Sequence, residues 1–209
     1  MAAMPIRPRY HHGDLKAALL AAAREILTEQ GLGALTLRAV AARADVSHAA
    51  PQHHFPTMCH LLTALAVEGF VEFAQTLIAF RDRAPPNPRA RLGALGDGYV
   101  HFVEARPNWF RLIFSLAGHE LNWEDEALLR AGEAARAVLV DVAGEIAAAR
   151  GEAGRAGAER IALMVWASVH GYTHLLLAGR LSQGAPPPPR PAIEDILLES
   201  FRAPETAYR

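Results

Sequence analysis

Residues 36–56 read TLRAVAARADVSHAAPQHHFP, and this stretch decides the fold of the first part of the chain. Thr36 is placed to accept a hydrogen bond at a helix N-terminus, and apolar residues follow it at helical spacing. Asp45 predicts a tight turn at the end of that helix. Ser47 predicts the cap of a second helix over residues 48–54, which has only about two turns. The segment therefore indicates two short helices joined by a turn.

A second helix this short has two readings. It cannot stand alone, so neighbouring helices must hold it while one face stays exposed. Its size fits the major groove of DNA, which is about 12 Å wide, and helix-turn-helix proteins place their second helix there. The same pattern also occurs as a helical corner in all-α proteins. Spacing alone leaves both readings open.

The residues around this segment extend the pattern. A helix is predicted over residues 14–30, and Thr57 is placed to cap a long following helix. The run over residues 10–56 contains GLGALTLR, VAARADVS and a closing HFP, and it resembles the N-terminal DNA-binding domain of the tetracycline-repressor (TetR) family. Farther along, WASVHG at residues 166–171 resembles the Trp-His-Gly (WHG) signature of one C-terminal domain type in that family.

Helical periodicity continues between the proline and glycine breaks, and no segment shows sustained strand alternation. The predicted fold class is therefore all-α. About nine helices are expected, over residues 14–30, 37–44, 48–54, 57–82, 88–105, 107–116, 124–150, 156–181 and 192–202. The resemblance implies a helix-turn-helix DNA-binding domain over 1–56, a linking helix over 57–82, and a C-terminal effector-binding and dimerisation domain over 83–209.

Composition gives weaker indications. The 209 residues carry a net charge of −1, and residues 1–60 hold six Lys and Arg against four Asp and Glu, with six of the ten His. This is a modest basic footprint for a protein that binds DNA. The single cysteine, Cys59, excludes an internal disulfide. Because no signal peptide or membrane-spanning apolar run is recognised, we expect a cytoplasmic protein without membrane contact.

The helix predicted over 156–181 is apolar on most sides, and one chain of this size can hardly cover it. The resemblance implies a homodimer in which the last two helices pack against those of a second copy. Gly171 would let a neighbouring helix approach closely. A dimer would present two recognition helices about 34 Å apart to a palindromic operator in double-stranded DNA. An ordinary buried core within one chain is the alternative.

Carried over position by position, the resemblance assigns DNA contacts to a set of residues in the first domain. They are Thr36, Arg38, Arg43, Ser47, His48, Ala49, Gln52, His53, His54, Arg7 and Arg9. Thr36 would meet a phosphate at a helix N-terminus, and residues 47–49 would face base edges. The two arginines of the N-terminal arm would reach a minor groove.

Two positions depart from the family pattern. Gln52 stands where the family usually has a tyrosine that donates to a phosphate, and Met58 stands where it usually has a lysine. Methionine cannot neutralise a phosphate, so the salt dependence of binding should be flatter by about one counterion per site. We expect weaker DNA binding than is usual in the family, or a different sequence preference through Gln52, which can pair with adenine.

Aromatic and histidine residues are concentrated in the C-terminal part, a composition that is typical of small-molecule pockets. The predicted ligand-binding residues are Tyr99, Phe102, Trp109, Phe110, Phe114, Trp166, His170 and His174. The resemblance implies that an unknown small-molecule effector binds there and changes the spacing of the two DNA-binding domains. Simple core packing is the alternative for each aromatic residue.

The sequence predicts a ligand-responsive regulator, and the family resemblance favours a repressor. The sequence also leaves other functions open. No catalytic or phosphate-binding motif is present, so neither an enzyme nor a cofactor is expected. His170 and His174 share one helix face at i, i+4, which leaves a metal-binding sensor open, although such pairs are more often packed than metal-bound. A helical dimer that has lost DNA binding and acts through protein partners is the other alternative.

Overall fold

The computed structural model describes residues 12–114, 121–152 and 154–181, and within these ranges every regular element is helical. The α-helices are α1 (His12–Gln30), α2 (Leu37–Arg43), α3 (Met58–Arg83), α4 (Pro88–Ala105), α5 (Pro107–Phe114), α6 (Glu126–Ala149) and α7 (Arg155–Leu177). Two short 3-10 segments, Leu32–Ala34 and Ala50–His53, flank α2. The predicted all-α class is confirmed for the described residues.

Local capping explains where several helices begin. Asn87 accepts a hydrogen bond from the backbone N–H of Ala90 at 2.8 Å, and Pro88 follows it at the first helical position. Asp125 accepts from two backbone N–H groups at the start of α6. Each cap stabilises its helix by about 1 kcal/mol. The bounds predicted for α4 agree with the structure, and those of α6 and α7 differ by a few residues.

The helix count is corrected from about nine to seven among the described residues. The helix predicted over 48–54 is instead a 3-10 segment, Ala50–His53. Pro51 has no N–H to donate to the carbonyl of Ser47, and Ala50 N–H donates there at 3.0 Å in an i, i−3 pattern. The Ser47 side chain makes no cap at this segment. The predicted helix over 192–202 lies outside the described residues.

The core is organised around α3, which packs against α4, α5 and α6, while α7 covers α6. The buried residues of α3 are Leu61, Leu62, Thr63, Leu65, Ala66, Gly69, Phe70, Phe73, Ala74 and Leu77. By length and composition alone α3 could cross a membrane, contrary to the expectation that the chain has no such run. Half of that apolar window is buried inside the fold, as in the core helix of a globular protein.

Candidate nucleic-acid interface and effector site

Helix α2 is held at its start by Thr36. The Thr36 hydroxyl accepts the backbone N–H of Ala39 at 3.0 Å, and the residue is exposed. The hydroxyl keeps its hydrogen, so it can still donate to a phosphate. Val40 and Ala41 are buried beneath the helix and fix its orientation.

The turn after α2 is set by a left-handed residue. Asp45 has φ of +53°, a region that costs most side chains energy but that Asp tolerates. Val46 N–H donates to Ala41 C=O at 3.0 Å, and Asp45 N–H donates to Ala42 C=O at 3.3 Å. This pair of hydrogen bonds is a Schellman motif, and it redirects the chain sharply into the next segment. Val46 is half-buried at this turn.

Residues 47–54, here called the recognition turn, present most of the predicted base-contacting side chains together. Pro51 and Phe55 are buried and anchor the segment to the domain core. The exposed members are Ser47, His48, Ala49, Gln52 and His53. His54 is half-buried. Gln52 and His53 lie in the 3-10 segment, whereas Ser47, His48 and Ala49 lie in the turn before it, so no regular α-helix displays these residues as was predicted.

The structure adds a cation to this surface that the sequence did not indicate. The ammonium of Lys16 in α1 lies 5.9 Å from the ring centroid of Phe55, and Lys16 is exposed. Only the packing of α1 against the end of the recognition turn brings these two residues together. No spacing signal in the sequence links positions 39 residues apart.

The two arginines predicted on α2 have different surroundings. Arg43 forms ion pairs with Glu25 and Glu29 of α1, each at 3.0 Å. The hydrogen bond from Arg43 lowers the pKa of the Glu29 carboxyl. Arg38 is exposed and forms no ion pair with any described residue. The structure therefore ties Arg43 to α1 and leaves Arg38 facing solvent.

The start of α3 also lies beside the recognition turn. Met58, its first residue, is half-buried and packs against the core. Thr57 occupies the N-cap position, but its hydroxyl bonds the Nδ1 of His60 at 2.8 Å and caps no backbone N–H. Arg7 and Arg9 lie outside the described residues.

Six of the eight predicted ligand-binding residues form one group, here called the aromatic–histidine cluster. Its members are Tyr99, Phe110, Phe114, Trp166, His170 and His174. The His170 ring centroid lies 5.2 Å from that of Phe114 and 5.6 Å from that of Phe110. The cluster joins helices α4, α5 and α7.

A chain of hydrogen bonds crosses this cluster from the core to the surface. The Tyr99 hydroxyl lies 2.6 Å from His170 Nδ1, and His170 Nε2 lies 3.0 Å from His174 Nε2. Tyr99 is buried, His170 is half-buried and His174 is exposed. Burial raises the pKa of the Tyr99 hydroxyl, which keeps it protonated. Burial, together with the charge of His174, lowers the pKa of His170.

The other two predicted ligand-binding residues lie outside the cluster. Phe102 is 1% exposed and packs its ring against Phe73 at a centroid distance of 5.1 Å. Trp109 is buried and donates its indole N–H to the Thr28 hydroxyl at 3.1 Å, which joins α5 to α1. Neither side chain is brought to His170, because α5 directs Trp109 toward α1 and Phe102 fills the core.

Helix α7 has one buried and one exposed apolar face. Ile161, Val165 and Val169 are buried against the rest of the fold. The exposed residues, here called the α7 stripe, are Leu163, Met164, Ala167, Gly171 and Leu175. Leu163 is 61% exposed, and a Cβ added at Gly171 would meet no atom of the described residues within 4 Å. The stripe is an open apolar face with a small residue near its centre.

Two family profiles match this chain. The profile of bacterial regulatory proteins of the tetR family matches residues 19–65, which contain α2 and the recognition turn. The profile of the tetracyclin repressor-like C-terminal domain matches residues 92–200, more than half of the chain. The chain belongs to the TetR family.

Solved structures similar to this TetR-family chain cover nearly all of it. A protein with unknown function from Rhodococcus sp. RHA1 is 34% identical, with a TM-score of 0.71 over 93% of this chain and 95% of that chain. A TetR-like transcriptional regulator from the same organism is 16% identical, with a TM-score of 0.58 and coverage of 90% and 94%. The multidrug binding protein EbrR, complexed with imidazole, is 20% identical, with a TM-score of 0.56 and coverage of 91% and 97%. Comparison with curated proteins found no match.

Membership of the TetR family accounts for the two sites together. The N-terminal match makes the protein a helix-turn-helix regulator of transcription, which confirms the prediction made from residues 36–56. The C-terminal match covers most of α4 and all of α5 to α7, and with them the whole aromatic–histidine cluster. The cluster therefore lies in the C-terminal domain, outside the helix-turn-helix domain.

Proposed function

We propose that this TetR-family protein is a ligand-responsive repressor that binds a palindromic operator as a homodimer. The observation that carries the DNA-binding half is the recognition turn. Its exposed residues Ser47, His48 and Gln52 project from a backbone that is anchored by buried Pro51 and Phe55. A rigid, exposed polar surface of this kind suits contact with base edges in the major groove.

The surrounding residues support contact with the phosphate backbone. The Thr36 hydroxyl retains a hydrogen to donate, and Arg38 and Lys16 are exposed cations on the same domain. We assign phosphate contacts to these three residues, since phosphate contacts set the register of the protein on DNA. Arg43 acts through α1 instead, because its guanidinium pairs with two carboxylates there.

The proposed homodimer rests on the α7 stripe. Leu163, Met164 and Leu175 are 61%, 44% and 49% exposed, and large apolar side chains in one row favour burial by a partner. Gly171 would let the partner helix approach closely. The motif of Trp166, His170 and Gly171 supports assignment of the C-terminal domain to the Trp-His-Gly type. A two-fold dimer would pair two recognition turns with a palindrome.

The proposed effector site is the aromatic–histidine cluster, and α5 would connect it to the DNA-binding domain. Phe110 and Phe114 on α5 contact His170, while Asn108 and Trp109 on the same helix hydrogen-bond to Thr28 of α1. A ligand that displaces rings in the cluster would shift α5 and, through it, α1. An effector can only act to the extent that it binds one state better than the other.

Fluorescence anisotropy tests the proposal. The purified protein is titrated onto DNA from upstream of its own gene and onto a control fragment of equal length, at about 50 and 200 mM salt. We expect tighter binding to the upstream DNA that persists at the higher salt. A Ser47→Ala, His48→Ala, Gln52→Ala variant should lose the preference and keep its helical circular dichroism. The contrary result is equal binding to both fragments that disappears at the higher salt and that the triple variant does not change. That result would instead favour action through protein partners.

A further inference from the structure

His170 and His174 point two ring nitrogens at one another from successive turns of α7. Their Nε2 atoms lie 3.0 Å apart, and the ring centroids lie 4.5 Å apart. Residues at i and i+4 share one helix face, so this approach follows from the sequence spacing. Both nitrogens lie at the outer edge of the aromatic–histidine cluster, because His174 is exposed.

The separation of the two nitrogens suits a shared metal ion. With metal–nitrogen bonds of about 2.0–2.1 Å, a 3.0 Å nitrogen–nitrogen distance subtends an angle of about 91–97° at the metal. This is the angle between neighbouring ligands in square-planar or octahedral coordination, the geometries of Cu²⁺ and Ni²⁺ with nitrogen ligands. A tetrahedral ion would need the nitrogens to separate by roughly 0.3–0.4 Å.

The other nitrogen of His170 is already held. Its Nδ1 lies 2.6 Å from the Tyr99 hydroxyl, which is buried beneath the ring. A histidine ligand generally donates its second N–H to an oxygen, and the Tyr99 hydroxyl oxygen is in place to accept that of His170. In the tautomer that carries its hydrogen on Nδ1 and donates it to Tyr99, the lone pair of His170 Nε2 faces His174.

We propose that His170 and His174 form a chelating site for a divalent transition-metal ion of the Cu²⁺ or Ni²⁺ type, with Tyr99 as a positioning residue. The hydrogen between the two Nε2 atoms must leave for the ion to enter. Since His174 is exposed, its ring can carry that hydrogen on Nδ1 after exchange with water. No group of three or more His, Cys, Asp or Glu suited to a metal occurs among the described residues, so within that part of the chain the site consists of these two ligands.

Calorimetric titration of the tag-free protein with Ni²⁺ tests the site without any DNA. The variants are His174→Gln, which changes an exposed residue, His170→Gln, and Tyr99→Phe, which keeps the ring and removes the hydroxyl. His53→Gln is the matched control, since His53 is an exposed histidine of the recognition turn. Circular dichroism checks that each variant is folded.

We expect both His→Gln changes at α7 to remove one Ni²⁺ equivalent that His53→Gln leaves intact. Tyr99→Phe should weaken that equivalent by about tenfold, as loss of an outer-shell partner does. The histidine side-chain NMR signals of His170 and His174 should broaden first as paramagnetic Ni²⁺ is added. Binding that is identical in the wild type and the His174→Gln variant, or no binding at all, would overturn the proposal. Because no DNA is present, this result is independent of whether the protein binds an operator.

Discussion

Trp109 of α5 donates its indole N–H to the hydroxyl of Thr28 in α1 at 3.1 Å. This bond joins the C-terminal domain to the first helix of the DNA-binding domain. The next residue on α5, Phe110, has its ring centroid 5.6 Å from that of His170. One short helix therefore contacts both α1 and the aromatic–histidine cluster, and with α3 it links the two proposed sites physically.

The first prediction concerns that link. Thr28→Val removes the hydroxyl and keeps the side-chain shape, and Trp109→Phe removes the indole N–H. If the bond contributes in the native state, the two effects on the free energy of unfolding will be non-additive by about 1 kcal/mol. Urea denaturation of the wild type, both single variants and the double variant measures this coupling. Strictly additive effects would show that the bond does not join the domains energetically.

The second prediction concerns the packing of α5 on α3. A Cβ at Gly69 would lie 2.8 Å from Ile113 Cγ2 and 3.2 Å from Trp109 Cε3. Gly69→Ala should therefore destabilise the fold by about 1–3 kcal/mol through overpacking, despite the better helix propensity of alanine.

Gly132→Ala in α6 is the matched control for Gly69→Ala. Its added Cβ would meet nothing nearer than Phe70 Cζ at 4.0 Å. This change should stabilise the protein by about 0.5–1 kcal/mol, because alanine favours the helix. Thermal denaturation of the two variants should shift the midpoint in opposite directions, and a shared direction would contradict the predicted clash.

The third prediction concerns Asp45, which forms the turn that directs the chain from α2 into the recognition turn. Asp45 has φ of +53°, a conformation that costs alanine energy and glycine none. Asp45→Ala should therefore lower the free energy of unfolding by about 1 kcal/mol, and Asp45→Gly should not. Both variants remove the same carboxylate, which makes each the charge control for the other. Chemical denaturation measures the difference between them. Equal stability of the two variants would show that backbone strain at this position does not affect the free energy of unfolding.

Much of this fold follows from local sequence. Helical periodicity and the proline and glycine breaks place α4 and α6 within a few residues, because these signals act locally along the chain. The recognition segment was predicted incorrectly as an α-helix. The segment has 3-10 geometry instead, because Pro51 has no N–H to donate to an i, i−4 hydrogen bond.

The candidate sites depend more on tertiary packing. The pairing of His170 with His174 could be inferred from i, i+4 spacing, whereas the contact of Tyr99 with His170 joins residues 71 positions apart. The same holds for Trp109, whose aromatic character suggested a pocket and whose partner is Thr28 on another domain. Residue type thus indicated the chemistry, and only the packing of α4, α5 and α7 showed which side chains meet.

The fourth prediction concerns pH. Burial and the neighbouring charge of His174 lower the pKa of His170 in the folded protein below the ordinary value of about 6.5. As the pH falls through that value, the unfolded chain takes up a proton at this position before the folded one does. The contribution of His170 to stability is therefore complete above about pH 6.5 and is lost between that pH and its lower folded pKa.

An NMR titration of the His170 ring protons should give a midpoint below the ordinary histidine value of about 6.5. The loss of stability between about pH 7.5 and 5.5 should also be smaller in a His170→Gln variant than in the wild type. A His170 midpoint at or above the ordinary value would contradict this prediction.

The last prediction separates the two arginines of α2. Arg38 faces solvent, whereas Arg43 is paired with Glu25 and Glu29 at 3.0 Å each. A cation that contacts a phosphate releases a counterion on binding. Removing that cation therefore reduces the steepness of log affinity against log salt by about 0.9 per contact. Arg38→Gln should therefore flatten the slope by about that amount in each subunit. Arg43→Gln should leave the slope nearly unchanged and act on α2 packing, visible as a lower unfolding midpoint. Anisotropy titrations at four salt concentrations give both slopes, and a flatter slope for Arg43→Gln alone would reverse the assignment of the two residues.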